Sequence, residues 1–263
     1  MGWTSPVFSH GAFHHVALLG SSGVVRVSFA ADHEAQIAYQ SAALLAVGSA
    51  GLKTRIPELL GTHTRDSWSA MACTVVEGAH KKDRLWHEVR YDFAGMMDDF
   101  QSAHEPTGLA APRSWCGGDA WPDIVERITA GASSRIRTAA HIVVREVLAL
   151  DGVASPSLVH GDFGPHNVLW DESDAPGLID FDNACVADPA IDLAPLIGFY
   201  GAANVGEIVH ADVLERAKIH RASLPLQVAA AATLRSDRKL QNHALSNFCR
   251  RLEAGSLHDP AAA

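Results

Sequence analysis

The hydrophobic period of this chain changes once, near Glu77 and Gly78, and any fold it adopts must accommodate that change. Before it, residues 13–19, 23–29 and 70–76 are short apolar runs bounded by Gly, Ser or Asp, which predicts strands of a small antiparallel sheet. One helical segment, residues 33–47, interrupts them: Ile37, Ala38, Ser41, Leu44 and Leu45 recur at near-helical spacing, and the stretch from Gly48 to Gly51 ends it. After the change, residues 81–104 carry Val89, Phe93, Met96, Met97 and Phe100 every three or four positions, as on an amphipathic helix. A loop over 112–121 precedes helical stretches at 122–132 and 134–150, and short strands follow at 158–160, 168–170 and 177–181. The expectation is an α+β chain of two lobes: an N-terminal antiparallel β-sheet lobe with one helix, residues 1–77, and a larger, mainly helical C-terminal lobe, residues 78–263. A cleft at the hinge between lobes is a common place for a ligand.

Composition narrows the function classes. With 263 residues, 48% of them apolar, the chain can build its own core. Cys73, Cys116, Cys185 and Cys249 stand far apart without a CxxC pair, so reduced thiols are expected rather than a disulfide framework or zinc ribbon. The pairs His14 with His15 and His160 with His166 lack zinc-site spacing. The N-terminus carries no basic segment followed by a long apolar run, and no apolar stretch approaches the roughly 20 residues that cross a bilayer. A cytoplasmic location without membrane insertion is expected. A net charge of −9 with no Lys/Arg block disfavours a nucleic-acid partner and suits a cationic one.

The chemistry is concentrated in Leu158-Val159-His160-Gly161-Asp162-Phe163-Gly164-Pro165-His166-Asn167-Val168-Leu169-Trp170 and the later Ile179-Asp180-Phe181. Asp162 follows an apolar strand and opens a Gly/Pro loop, where its carboxylate can orient an attacking hydroxyl and accept its proton. Asn167 offers a carbonyl oxygen and Asp180, at a strand mouth, a carboxylate, the hard oxygen ligands that hold Mg²⁺ against phosphates. Each alone also reads as a turn former or cap; their joint spacing points to phosphoryl transfer.

These residues, together with Asp188-Pro189-Ala190-x-Asp192-Leu193-Ala194, resemble the signature of the aminoglycoside and macrolide phosphotransferase superfamily. The resemblance implies a protein-kinase-like fold, with Asp162 as the catalytic residue, Asn167 and Asp180 as Mg²⁺ ligands, and ATP or GTP as co-substrate. It also casts His160 and Asp192 as supports of the catalytic loop, while Asp188 before Pro189 fits an N-cap with proline at the first helical position. Ser9, His10 and Gly11, with Ala12 and Phe13, are either a phosphate-covering turn or an ordinary hairpin. Arg26 resembles the family's phosphate-neutralising strand residue, with an outward edge-strand position as the alternative. Its expected helical acid is missing: either Gln40 holds it by a neutral hydrogen bond, or Glu34 does so from a shifted helix. Cys73, Thr74 and Val75 resemble the connection whose backbone binds a purine edge.

The stretches Gly11 to Val16, Val168 to Trp170 and Gly198 to Gly201 are similar to those of phosphotransferases that inactivate viomycin and capreomycin, cyclic peptide polycations. Asp182 and Asn183 are the expected contacts for a cationic substrate, with Asp212 and Glu215 as further acids. A small-metabolite kinase of the same fold and a non-catalytic nucleotide- or drug-binding protein are the rival readings.

Overall fold

A computed structural model describes residues 7–10, 15–81 and 83–262. Its first third forms a five-stranded antiparallel sheet in the order β1-β2-β3-β5-β4, built from β1 (Val7–His10), β2 (His15–Leu18), β3 (Val24–Ser28), β4 (Leu59–Arg65) and β5 (Trp68–Cys73). The chain crosses from β3 to β4 through helix α1 (His33–Gly48), which packs on β3, β4 and β5. Sequence spacing places this helix well but misjudges its buried face. Ile37, Gln40, Ser41, Leu44 and Val47 are buried, whereas Leu45 is 58% exposed and Ala38 also faces out. The buried stripe therefore includes a polar side chain, Gln40, whose partner is described below.

Strand β4 has no apolar alternation to announce it, because it is an edge strand with nearly every residue exposed. Its partner β5 fixes its position through a hairpin in which Arg65 faces Trp68 across Asp66 and Ser67.

Helices dominate after residue 85: α2 (Trp86–Ser102), α3 (Trp121–Thr129), α4 (Ser134–Leu148), α5 (Ala190–Tyr200), α6 (Ala202–Val205), α7 (Ala211–Leu234) and α8 (Arg238–Glu253). Part of the expected 112–121 loop coils into short 3-10 turns at Ser114–Cys116 and Gly118–Ala120. Between α4 and α5 lie two small hairpin-like ladders, β6 (Ser157–Val159) with β9 (Cys185–Ala187) and β7 (Val168–Trp170) with β8 (Pro176–Leu178). These ladders hold the loops that carry the motif residues.

Apolar packing crosses the expected boundary at residue 77. One continuous cluster joins Ile37, Leu44 and Met71 of the sheet region to Phe93, Phe100, Phe163, Phe181, Leu193 and Ile197. A second gathers Trp121, Ile124, Val147, Leu226 and Phe248 from α3, α4, α7 and α8. The backbone also bridges the boundary: Ala79 N–H donates to Trp170 O at 2.9 Å, and Trp170 N–H donates back to Ala79 O at 3.0 Å. Gly78 permits this approach. Its φ is +135°, and a Cβ there would lie 2.6 Å from Trp170 O. Among the described residues no helix is long and apolar enough to cross a membrane.

Candidate active site

Strand β6 delivers the chain to His160, which is fully buried and fixes the loop by three bonds. Its backbone N–H donates to Asp192 Oδ2 at 2.8 Å, its Nε2 meets Ile179 O at 2.9 Å, and its Nδ1 accepts from Asp162 N–H at 3.2 Å. That pattern assigns the proton to Nε2. Burial lowers the His160 pKa against the pull of Asp162, so the ring stays neutral. Asp192, one turn into α5, accepts from Gly161 N–H at 2.7 Å through its other oxygen. Burial pushes its carboxyl up to about 7, against those two N–H groups that favour the ionised form. Asp192 thus braces the loop from α5 and does not cap its own helix. Gly161 has φ +81°, and a Cβ there would sit 2.3 Å from Asn183 O, so this turn admits only glycine.

Asp162 follows. Its Oδ2 accepts from His166 Nε2 at 3.1 Å and from Asn167 Nδ2 at 3.2 Å, and the same Asn167 amide donates to Asp162 O at 2.9 Å. Burial raises the Asp162 pKa, but the His166 hydrogen bond and the surrounding charges and donors outweigh it, and the carboxyl titrates below its ordinary value. It is a carboxylate at neutral pH with one oxygen held. Sequence spacing attached no role to His166; its position four residues after Asp162 is the signal that could have marked it. The ring also stacks on Phe199 of α5, with centroids 5.5 Å apart.

Asp180 follows β8 in a left-handed conformation, φ 70°, a strained setting of the kind found at functional sites. Its Oδ1 is buried and accepts no hydrogen bond, and Arg26 Nη1 lies 3.3 Å away. Asn167 commits its amide nitrogen to Asp162, which leaves its carbonyl oxygen for a cation. An orphaned carboxylate oxygen and an amide oxygen suit a hard metal ion. Among the described residues there is no cage of three or more His, Cys, Asp or Glu, and Mg²⁺ typically takes one or two protein oxygens and completes its shell with phosphates and water. Asn167 and Asp180 would hold a Mg²⁺ ion, which would supply positive charge against phosphate oxygens.

Arg26 points inward from β3, and its side chain is 12% exposed. The edge-strand alternative is therefore excluded, and both expected partners need correction. Glu34 is exposed on α1. Gln40 is buried, but its Nε2 donates to Asp182 Oδ2 at 2.7 Å, the same oxygen that accepts from Arg26 Nη2. Asp182, expected to meet a cationic substrate, is turned toward Arg26 and Gln40. Burial and the nearby Asp180 push its carboxyl up to about 6, opposed by Arg26.

Two cavities meet at these carboxylates. A cleft of about 520 Å³ is lined by Val16, Leu44, Met71, Val75, Ile179 and Phe181, with Arg26, Asp180 and Asp182 at its polar end. A second pocket of about 330 Å³ contains Asp32, Asp162, Asp180 and Asp182 with Asn183, Tyr39, Trp115 and Arg235. Asp32, Tyr39, Trp115 and Arg235 come from three separate parts of the chain, and sequence spacing gives no signal for them. Cys73 lies in the sheet ladder between Val24 and Leu59, and Thr74 N–H donates to Glu58 O at 2.9 Å. Cys73, Thr74 and Val75 all line the first of these cavities. Ser9 and His10 lie on β1, opposite Val16 and His15. Gly11, Ala12, Phe13 and His14, which complete the expected turn, lie outside the described residues.

Asp188 caps α5 by accepting from Ala190 N–H at 3.0 Å, and it also takes Arg216 Nε at 2.8 Å. Asp212 pairs with Arg216 and Glu215 with Lys218 along α7, and neither acid lines either cavity.

The chain is similar to known antibiotic phosphotransferases. The chain is 26% identical over 270 residues to viomycin phosphotransferase of Streptomyces vinaceus, covering 90% of each chain. Among solved structures it is similar to the GDP complex of aminoglycoside 2'-phosphotransferase-IIIa (TM-score 0.75, 15% identity, 97% of this chain and 95% of that one). It is also similar to spectinomycin phosphotransferase APH(9)-Ia in complex with ADP and spectinomycin (TM-score 0.63, 13% identity, 97% and 92%). These likenesses show a kinase-like aminoglycoside phosphotransferase fold. The family described as the phosphotransferase enzyme family, APH, matches residues 6–226, and the chain belongs to it.

Proposed function

We propose that this protein is a Mg²⁺-dependent O-phosphotransferase that moves the γ-phosphoryl group of ATP or GTP to a hydroxyl of a cationic antibiotic, of the viomycin and capreomycin type or an aminoglycoside. The observation that carries this reading is the placement of Asp162 and Asp180. Asp180 borders both cavities, and Asp162 opens into the acidic one. The larger cleft, apolar with Arg26 at its end, suits a nucleotide whose base lies near Val75 and whose phosphates reach Arg26. The smaller pocket, rich in carboxylates, suits a polycation.

Phosphoryl transfer asks the protein mainly for positioning and charge stabilisation. Arg26 would neutralise phosphate charge. Asp162, with Oδ2 held by His166 and Asn167, would present its other oxygen to the acceptor hydroxyl and take its proton. Asn167 and Asp180 would hold the metal. Asp32, with the field of Asp162 and Asp180, would draw the cationic acceptor into the second pocket.

The test is mass spectrometry of a panel containing viomycin, capreomycin, aminoglycosides, macrolides and small alcohols such as choline and homoserine, each incubated with MgATP or MgGTP. A gain of one phosphate group on a cationic antibiotic is expected. Turnover confined to the small alcohols would replace the antibiotic by a metabolite, and no phosphate ester on any compound would overturn the kinase reading.

A further inference from the structure

A guanidinium as enclosed as that of Arg26 is stable only with an anion placed against it. Helix α1, the element packed over β3, does not provide one: its Glu34 faces out, and the side chain it sends inward is the neutral Gln40. Two anions arrive from the other half of the molecule: Asp180 Oδ1 lies 3.3 Å from Arg26 Nη1, and Asp182 bonds Nη2 directly. Asp182 Oδ2 accepts from Arg26 Nη2 and from Gln40 Nε2, at 2.7 Å, on the same oxygen. A strand of the sheet, the helix over that sheet and the segment after β8 thus converge on one carboxylate.

We propose that Asp182 is a positioning residue for the nucleotide: it holds Arg26 toward the phosphates, with Gln40 as a neutral strut from α1, and it is not a contact for the acceptor. The geometry favours this because Oδ2 takes both donors, one of them cationic, so the carboxylate is oriented by Arg26 and Gln40. It also explains why α1 can carry glutamine at its buried polar position. With the acid supplied by Asp182, a second carboxylate at residue 40 would crowd Asp180 and Asp182 with further negative charge. This proposal rests on the reading that Arg26 meets nucleotide phosphates.

The test separates nucleotide from acceptor. Affinity for MgATP and MgGTP is measured by titration calorimetry without acceptor, and acceptor KM at saturating nucleotide. Asp182→Asn is expected to weaken nucleotide binding about tenfold, the loss of a charge-assisted hydrogen bond, and to leave acceptor KM within about twofold. Adding Gln40→Glu to Asp182→Asn returns a carboxylate from the helix side and is expected to recover most of the lost affinity, which loss of general structure would not allow. Gln40→Ala alone, which removes the strut and keeps the acid, should weaken nucleotide binding by a smaller factor and leave acceptor KM unchanged; it decides the matter should Asp182→Asn not fold. A rise in acceptor KM with unchanged nucleotide affinity in either variant, or no recovery in the double variant, overturns the proposal. Wild-type protein that binds neither nucleotide overturns the kinase reading beneath it; wild-type binding with no change in the variants overturns the proposal alone.

Discussion

Asp162 can act as a base only if its carboxylate is ionised and aimed, and neighbours within five residues supply much of both. His166 and Asn167 hold one oxygen, and Asp162 N–H is tied to the buried His160 ring. Replacing Asp162 by alanine should leave folding and nucleotide affinity intact while lowering kcat by about 10²–10⁴, the range for general acid–base catalysis; near-normal turnover in steady-state assays would remove it from the chemistry. This set was legible in the sequence because Asp162 and Asn167 share one loop and Asp180 follows shortly in the next ladder. The contact between Gln40 and Asp182 was not, since its partners stand 142 residues apart and neither local period nor motif spacing reports on such a pair. A separation of 156 residues hid the correct partner of Arg26 in the same way.

Elements announced by a hydrophobic period were found within a few residues, as α2 and α4 show, with their buried stripes of Val89, Phe93 and Phe100 and of Val143, Val144 and Val147. Strand β4 is exposed along its length and β9 is only three residues long, so neither carries a readable period. The start of α5 was readable as Asp188 before Pro189, but not its tie to α7 through Arg216. That tie has a pH signature. Burial alone would raise the Asp188 pKa, but the nearby His220 ring, the hydrogen bonds from Arg216 and Ala190 and the Arg216 charge bring it down to about 2. A carboxyl depressed in the folded state adds stability that is complete above its unfolded pKa, roughly 3.9, and is lost as pH falls toward the folded value. Asp188→Asn keeps the cap and loses the ion pair. Urea unfolding should show it about 2 kcal/mol less stable than wild type at pH 7, with the gap shrinking between pH 4 and pH 3. A gap independent of pH would assign the effect to packing.

At the scale of the whole molecule, the placement of the two apolar clusters determines which perturbations reach the site. The first runs from the sheet through α2 to the catalytic loop: Phe93 meets Phe163, the neighbour of Asp162, edge to face at 5.4 Å, and Phe100 stacks on Phe181, the neighbour of Asp180, at 6.3 Å. The second, around Trp121 and Phe248, lies among α3, α4, α7 and α8 and contains no residue of the motif loops. Phe93 and Phe248 are both fully buried, so truncating either to alanine should cost about 3–5 kcal/mol of stability. Their functional consequences should differ. Phe93→Ala removes the ring against which Phe163 rests and should lower kcat along with stability, because the Asp162 loop loses its support from beneath. Phe248→Ala should lower the unfolding midpoint by a similar amount yet leave kcat and nucleotide affinity of the folded protein near wild type, measured well below that midpoint. Equal loss of kcat in both variants would mean that the two clusters respond as one body, and that the loop is held by the molecule as a whole rather than by the packing directly under it.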